Sequence, residues 1–137
     1  MNVESFLDTN ILVYAAAGHG HAEVKRRRAL QLMESENFGL SAQILQEFYV
    51  TVVRKIAVPL TPAKALEWIE ALEQFPCVSL DSGLVKTAAL LSVRYKVSYW
   101  DAAVIAAAEA SGATTLYTED LNSGQRYGNV YAQNPFL

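Results

Sequence analysis

The chain has 137 residues, the size of one ordinary domain, and 52% of them are hydrophobic, enough to fill a core. No run of about 18 apolar residues is present to cross a membrane, Glu4 and Asp8 stand where a signal peptide would be basic, and the single cysteine, Cys77, excludes an internal disulfide or a cysteine-rich zinc site. A net charge of −3 argues by itself against a polyanion partner, although metal bound in an acidic pocket would reverse the sign locally.

A cytoplasmic protein is therefore expected, with Cys77 as a buried small hydrophobe in the apolar run 75–80. Val3–Leu7 reads as a short buried strand, and Asn10 as the cap of a helix to about Ala17. Gly18-His19-Gly20 breaks that helix, and His21–Glu36 forms the next. Phe38–Leu40 is a strand. Ser41 then caps a long helix to Ile56, with Ile44, Phe48, Val52 and Ile56 on one stripe. Thr61-Pro62, a cap followed by proline in the first helical position, opens a helix to about Gln74. Cys77–Leu80 is a strand, Asp81 caps a helix to Tyr95, and Ser98 starts another that Gly112 stops. Thr114–Thr118 is a strand, and Val130-Tyr131 a last short one. Strands alternating with helices predict a single α/β domain of three layers over residues 1–137, its central, mostly parallel sheet flanked by helices.

Two of the chain's four aspartates follow strands directly. Val3–Leu7 runs into Asp8, and Thr114–Thr118 leads to Asp120. Ligands in open α/β sheets bind beyond the carboxyl ends of the strands, so these acids point to a shared pocket suited to a hard divalent cation. A helix cap would equally suit Asp8, but Asn10 competes for that role. Asp120 reads either as a metal-facing acid or as a turn residue before Asn122-Ser123-Gly124.

Asp101 has two readings. Ser98 and Asp101 fit a capping box. Val104, Ile105 and Ala108 lie three, four and seven residues further on, however, so the acid begins the core-facing stripe. A carboxylate there is costly unless paired or metal-bound. Asp81 reads as a cap. Glu47 falls opposite the apolar stripe with Gln43 and Arg54, and a helical wheel reads it as solvated. His19 and His21 suit a polar loop better than a metal site. Lys25-Arg26-Arg27-Arg28 supplies four of the eleven basic residues. The run is either a solvated helix face or a phosphate contact, with an exposed aromatic such as Tyr99 along the same groove.

Asp8-Thr9-Asn10 after the first strand, Glu47 within Gln-Glu-Phe-Tyr, Trp100-Asp101-Ala102-Ala103 and Thr118-Glu119-Asp120-Leu121 together resemble a PIN domain. The closing Asn134-Pro135-Phe136 resembles the VapC-type toxins of toxin–antitoxin pairs. The resemblance spans nearly the whole chain. It implies a Mg²⁺-dependent endoribonuclease, with Mn²⁺ able to substitute. Asp8, Glu47, Asp101 and Asp120 would take the family's four acidic positions, Asn10 and Thr118 its supporting polar ones, and Glu119 a variable one. Asp8 would be the ligand shared between ions, Asp101 and Asp120 would hold one or both, and Glu47 would ligate or orient the attacking water. Crowded carboxylates repel, so at least one should have a raised pKa without metal. The resemblance also implies a homodimer, an RNA substrate and a small antitoxin whose C-terminal segment occupies the active-site groove.

Three rival readings bear on the same residues. A PIN-like module that is catalytically silent and acts by binding a protein remains open. A response-regulator pocket would need a lysine late in the chain, yet the last is Lys96. A haloacid-dehalogenase site would need an aspartate where Asn10 stands.

Overall fold

The computed structural model describes residues 2–137. In chain order the elements are β1 (Ser5–Leu7), α1 (Thr9–Ala17), a 3-10 turn (Gly20–Ala22), α2 (Glu23–Ser35), β2 (Phe38–Ser41), α3 (Ala42–Val50), α4 (Pro62–Leu72), β3 (Cys77–Val78), α5 (Ser82–Tyr95), α6 (Tyr99–Ala110), β4 (Thr115–Tyr117), β5 (Arg126–Tyr127) and β6 (Val130–Gln133). The strands form one sheet of order β3-β2-β1-β4-β6-β5. All neighbours are parallel except β5 and β6. Helices flank this sheet, as the alternation of strand and helix signals predicts.

The strand order fixes where a ligand site belongs. From β1 the chain steps outward through β2 and β3, then returns to place β4 on the other side of β1. The β1/β4 boundary is thus a topological switch point, where the crevice of a parallel sheet opens. Leu7 pairs in register with Tyr117, so the next residues, Asp8 and Thr118, leave the sheet side by side. Behind them the core is largely apolar, with Phe6, Leu7, Ile44, Phe48, Ile105 and Leu116 at most 1% exposed.

Several expected boundaries move. The first strand starts at Ser5 rather than Val3, and the third ends at Val78 rather than Leu80. The long helix to Ile56 is α3 followed by a π-helical stretch over Thr51–Lys55. β-Branched Thr51, Val52 and Val53 crowd an α-helical turn, and Val52 remains completely buried. The β5–β6 hairpin enlarges the expected single strand at Val130-Tyr131. It turns at Gly128-Asn129, where Gly128 has φ 62°.

Two helix starts differ in kind. Asp8, not Asn10, caps α1: its Oδ1 accepts from the Thr9 amide at 2.7 Å. α6 is enclosed all round, every residue from Ala102 to Ala108 being buried. An Ala-rich helix permits that, because small side chains let neighbours close in from each side. Asp101 therefore does not begin a one-sided stripe. It lies in the first turn, half-exposed, where the helix dipole favours a negative charge.

Candidate functional site

Asp8 is the most enclosed of the four acids, at 7% exposed. Its amide donates to the Tyr117 carbonyl at 3.1 Å, which carries the sheet ladder one residue beyond the strands. Its carboxylate accepts from Thr9 and, through Oδ2, from the Thr118 hydroxyl at 2.7 Å. Burial nevertheless pushes the Asp8 carboxyl up to about 6, and the charges of Asp120 and Glu47 add to the rise against those two bonds. The Asp120 carboxyl is also raised, first by burial, then by the charges of Asp101 and Glu119. Repulsion among the acids thus contributes as expected, but desolvation is the larger cause.

These influences order the acids in space. Glu47 and Asp120 each bear on Asp8, and Asp101 bears on Asp120. The four come from α3, the β1 end, α6 and the β4 end, and the charge influences link them pairwise. Thr118 ties two of them together, because its hydroxyl donates to Asp8 and accepts the Asp120 amide at 3.1 Å. Asn10 does not touch Asp8; its side-chain amide donates to Glu119 Oε1 at 3.5 Å.

Glu47 is half-buried rather than solvated. Gln43, one turn earlier on the face expected to be wet, is buried, and its amide donates to Glu47 Oε1 at 2.8 Å and to the Trp100 carbonyl at 3.4 Å. Gln43 thus bridges the elements that carry Glu47 and Asp101. The wheel missed this because α3 is covered on a second side at its start. The spacing of Gln43 and Glu47, one helical turn apart, was the available signal.

The basic run is largely committed to contacts within the chain. Lys25 pairs with Glu119 at 2.9 Å, Arg26 holds Glu23 with both its Nε and Nη2 at 2.9 Å, and Arg28 donates to the Pro135 carbonyl at 3.0 Å. Arg27 stays mostly exposed. Tyr99 is half-buried, and the exposed aromatic beside Asp101 is Trp100, at 65%. His19 and His21 are exposed, and Asp81 caps α5 by accepting from the Leu84 amide at 2.8 Å.

Whether these residues suit a cation turns on their chemistry and spacing. Among the described residues, no group of three or more His, Cys, Asp or Glu is gathered tightly enough to hold an ion as it stands. The donors are all carboxylate oxygens, which fits Mg²⁺ or Mn²⁺ better than a soft metal, and Mg²⁺ keeps several waters that bridge looser ligands. Asp8 is ionised there only at a cost that a cation would offset. The Thr9 hydroxyl beside it is buried without a partner among the described residues. The residues fit a hard divalent ion held partly through water.

A family model described as "PIN domain" matches residues 5–127. No curated protein sequence matches the chain. Among solved structures, VapC20 from Mycobacterium tuberculosis, a sarcin-ricin loop cleaving toxin, superposes with TM-score 0.68 at 20% identity, covering 85% of this chain and 90% of its own. A toxin–antitoxin complex from Klebsiella pneumoniae gives TM-score 0.71 at 20% identity over 96% and 98%. DNA-bound VapBC from Salmonella typhimurium gives 0.64 at 16% identity over 97% and 98%. At these identities the likeness is one of fold.

Proposed function

Because the chain belongs to the PIN domain family, we propose that it is a divalent-metal-dependent endoribonuclease that acts as the toxin of a toxin–antitoxin pair. The observation that carries this reading is Asp8: a buried carboxylate at the sheet's switch point, raised to about 6, with Glu47 and Asp120 both acting on it. Asp8, Asp101, Asp120 and Glu47 would hold Mg²⁺, or Mn²⁺ in its place. When bound, such an ion would activate a water and neutralise charge on the scissile phosphate.

The chain's own residues do the rest. Thr118 orients the Asp8 carboxylate and fixes the start of the turn that carries Asp120. Gln43 keeps Glu47 turned toward α6, where it can orient water against the phosphate. Asn10 supports the pocket at one remove, through Glu119. RNA is the substrate in this reading, and Trp100 offers an exposed ring on which a base can stack.

The toxin role rests on the similar structures, which include a toxin–antitoxin complex and a VapBC assembly. By that analogy a small antitoxin is the partner; the homodimer and the cytoplasmic site of action in this reading rest on the sequence resemblance alone. No described helix is long and apolar enough to cross a membrane.

A second reading is favoured by one observation, that no three acids are gathered around an ion position. It is a silent PIN-like module that acts by protein binding alone. RNA cleavage by wild type, Asp8→Asn and Asp101→Asn in Mg²⁺, Mn²⁺ and EDTA separates the two. Metal-dependent cutting that both variants lose supports the nuclease. Activity that survives EDTA sinks the mechanism, and no cutting by any form favours the module.

A further inference from the structure

Glu119 lies next to Asp120 in sequence, and its charge bears on Asp120. Both of its carboxylate oxygens are nevertheless engaged elsewhere. Its Oε1 accepts from the Tyr14 hydroxyl at 2.5 Å and from Asn10 at 3.5 Å, and its Oε2 is paired with Lys25 Nζ at 2.9 Å. The Glu119 side chain is only 18% exposed, so this ion pair is partly shielded from solvent. Lys25 is itself steered from two sides: its ammonium also reaches the Tyr14 hydroxyl at 3.2 Å and lies over the Tyr14 and Phe136 rings at 4.8 and 5.2 Å. The two rings meet edge to face at 5.3 Å. Two elements, α1 through Tyr14 and the C-terminal segment through Phe136, thus converge on one lysine of α2, and that lysine holds one carboxylate.

A carboxylate adjacent to a proposed metal ligand would compete for the ion if it were free. From this geometry we infer that Lys25 is a positioning residue that neutralises Glu119 and holds it out of the metal site, so that the β4 end contributes Asp120 alone. The inference rests on the metal site proposed above. Lys25, the first residue of the basic run, then serves the acid pocket from within the chain rather than meeting phosphate.

The test reads metal binding directly. The half-saturating Mn²⁺ concentration is taken from the thermal shift of the purified protein without RNA, for wild type, Lys25→Met, Lys25→Arg, Glu119→Gln, the Lys25→Met/Glu119→Gln double variant and Asp8→Asn. Freeing a fifth carboxylate next to a divalent ion should lower half-saturation in Lys25→Met by about tenfold, which is about 1.4 kcal/mol. Lys25→Arg should match wild type, and the double variant should return to it. A lysine that only braced the fold would give weaker Mn²⁺ binding in Lys25→Met, with no recovery in the double variant. That result, or a Lys25→Met that binds Mn²⁺ like wild type, overturns the inference while leaving the metal site standing. Absence of any shift that depends on both Mn²⁺ and Asp8 in wild type overturns the site and the inference together.

Discussion

The Thr118 hydroxyl donates to Asp8 Oδ2 at 2.7 Å across 110 positions of sequence, joining the ends of two neighbouring parallel strands inside the proposed site. The bond favours the ionised form of Asp8 and works against the burial that disfavours it. Thr118→Val keeps the shape and removes the donor. Because the acceptor is a buried charge, the loss of stability should be about 2 kcal/mol near neutral pH. It should shrink below about pH 5, where Asp8 is protonated in the fold. Urea denaturation at pH 4.5 and 7.5 reads the difference; equal losses at both would mean that the bond does not act on the charge.

Asp8 itself makes stability fall as pH rises. Its carboxyl titrates at about 6 in the fold against an ordinary 3.8, so between these the folded state binds more protons than the unfolded. Stability should then decline from about pH 4 to about pH 6 and level off above, the reverse of a salt-bridged aspartate. The shift corresponds to about 3 kcal/mol. Asp120, also raised, changes in the same sense. Asp8→Asn should flatten most of the slope and leave the metal-free protein more stable than wild type at pH 7.5. A wild-type melting temperature that climbs over this range would contradict the shift.

Metal should reverse that slope. An ion that binds only the fold stabilises it by about 2.7 kcal/mol at a hundredfold excess over Kd. Wild type should melt higher in Mn²⁺ or Mg²⁺ than in EDTA at pH 7.5, with a smaller gain at pH 5, where protons compete for Asp8. Asp8→Asn should show little gain at either pH. Calorimetric melts check this, and an undiminished gain in the variant removes Asp8 from the ligand set.

Gln43→Leu fills the same space without the amide that links Glu47 to the Trp100 carbonyl. Supports of this kind are worth roughly 10–100-fold in activity or metal affinity. Single-turnover RNA cleavage should fall by that factor, with thermal stability changed little. Wild-type cleavage by this variant would show that Glu47 needs no such support.

That Asp8 and Asp120 follow neighbouring strands was legible in the sequence, for a physical reason. Asp8 and Asp120 follow strand-type runs, and parallel sheets place such residues at one edge, so two acids distant in sequence could be assigned to one pocket. The burial of Asp8 was not legible, and Asp120 stays exposed. The wheel placed Gln43 and Glu47 in solvent because it describes one helix alone, whereas α3 is covered at its start by the segment bearing Trp100. Asp101 was singled out on a one-sided stripe that does not exist, since the alanines of α6 are enclosed on all sides. Asn10 lost the capping role to Asp8 because the helix begins immediately after the strand, leaving no intervening turn. The Lys25–Glu119 pair spans 94 positions, and only the assembled sheet brings its partners within reach.

The placing of β4 beside β1 has a consequence for synthesis. A chain emerging from the ribosome has made Asp8 long before Thr118, Asp120 or the strand that carries them. Until residues 115–117 dock against 5–7, Asp8 lacks its threonine donor and the fourth acid is missing. If the proposed site is the catalytic one, a nascent chain would stay inactive until β4 docks beside β1.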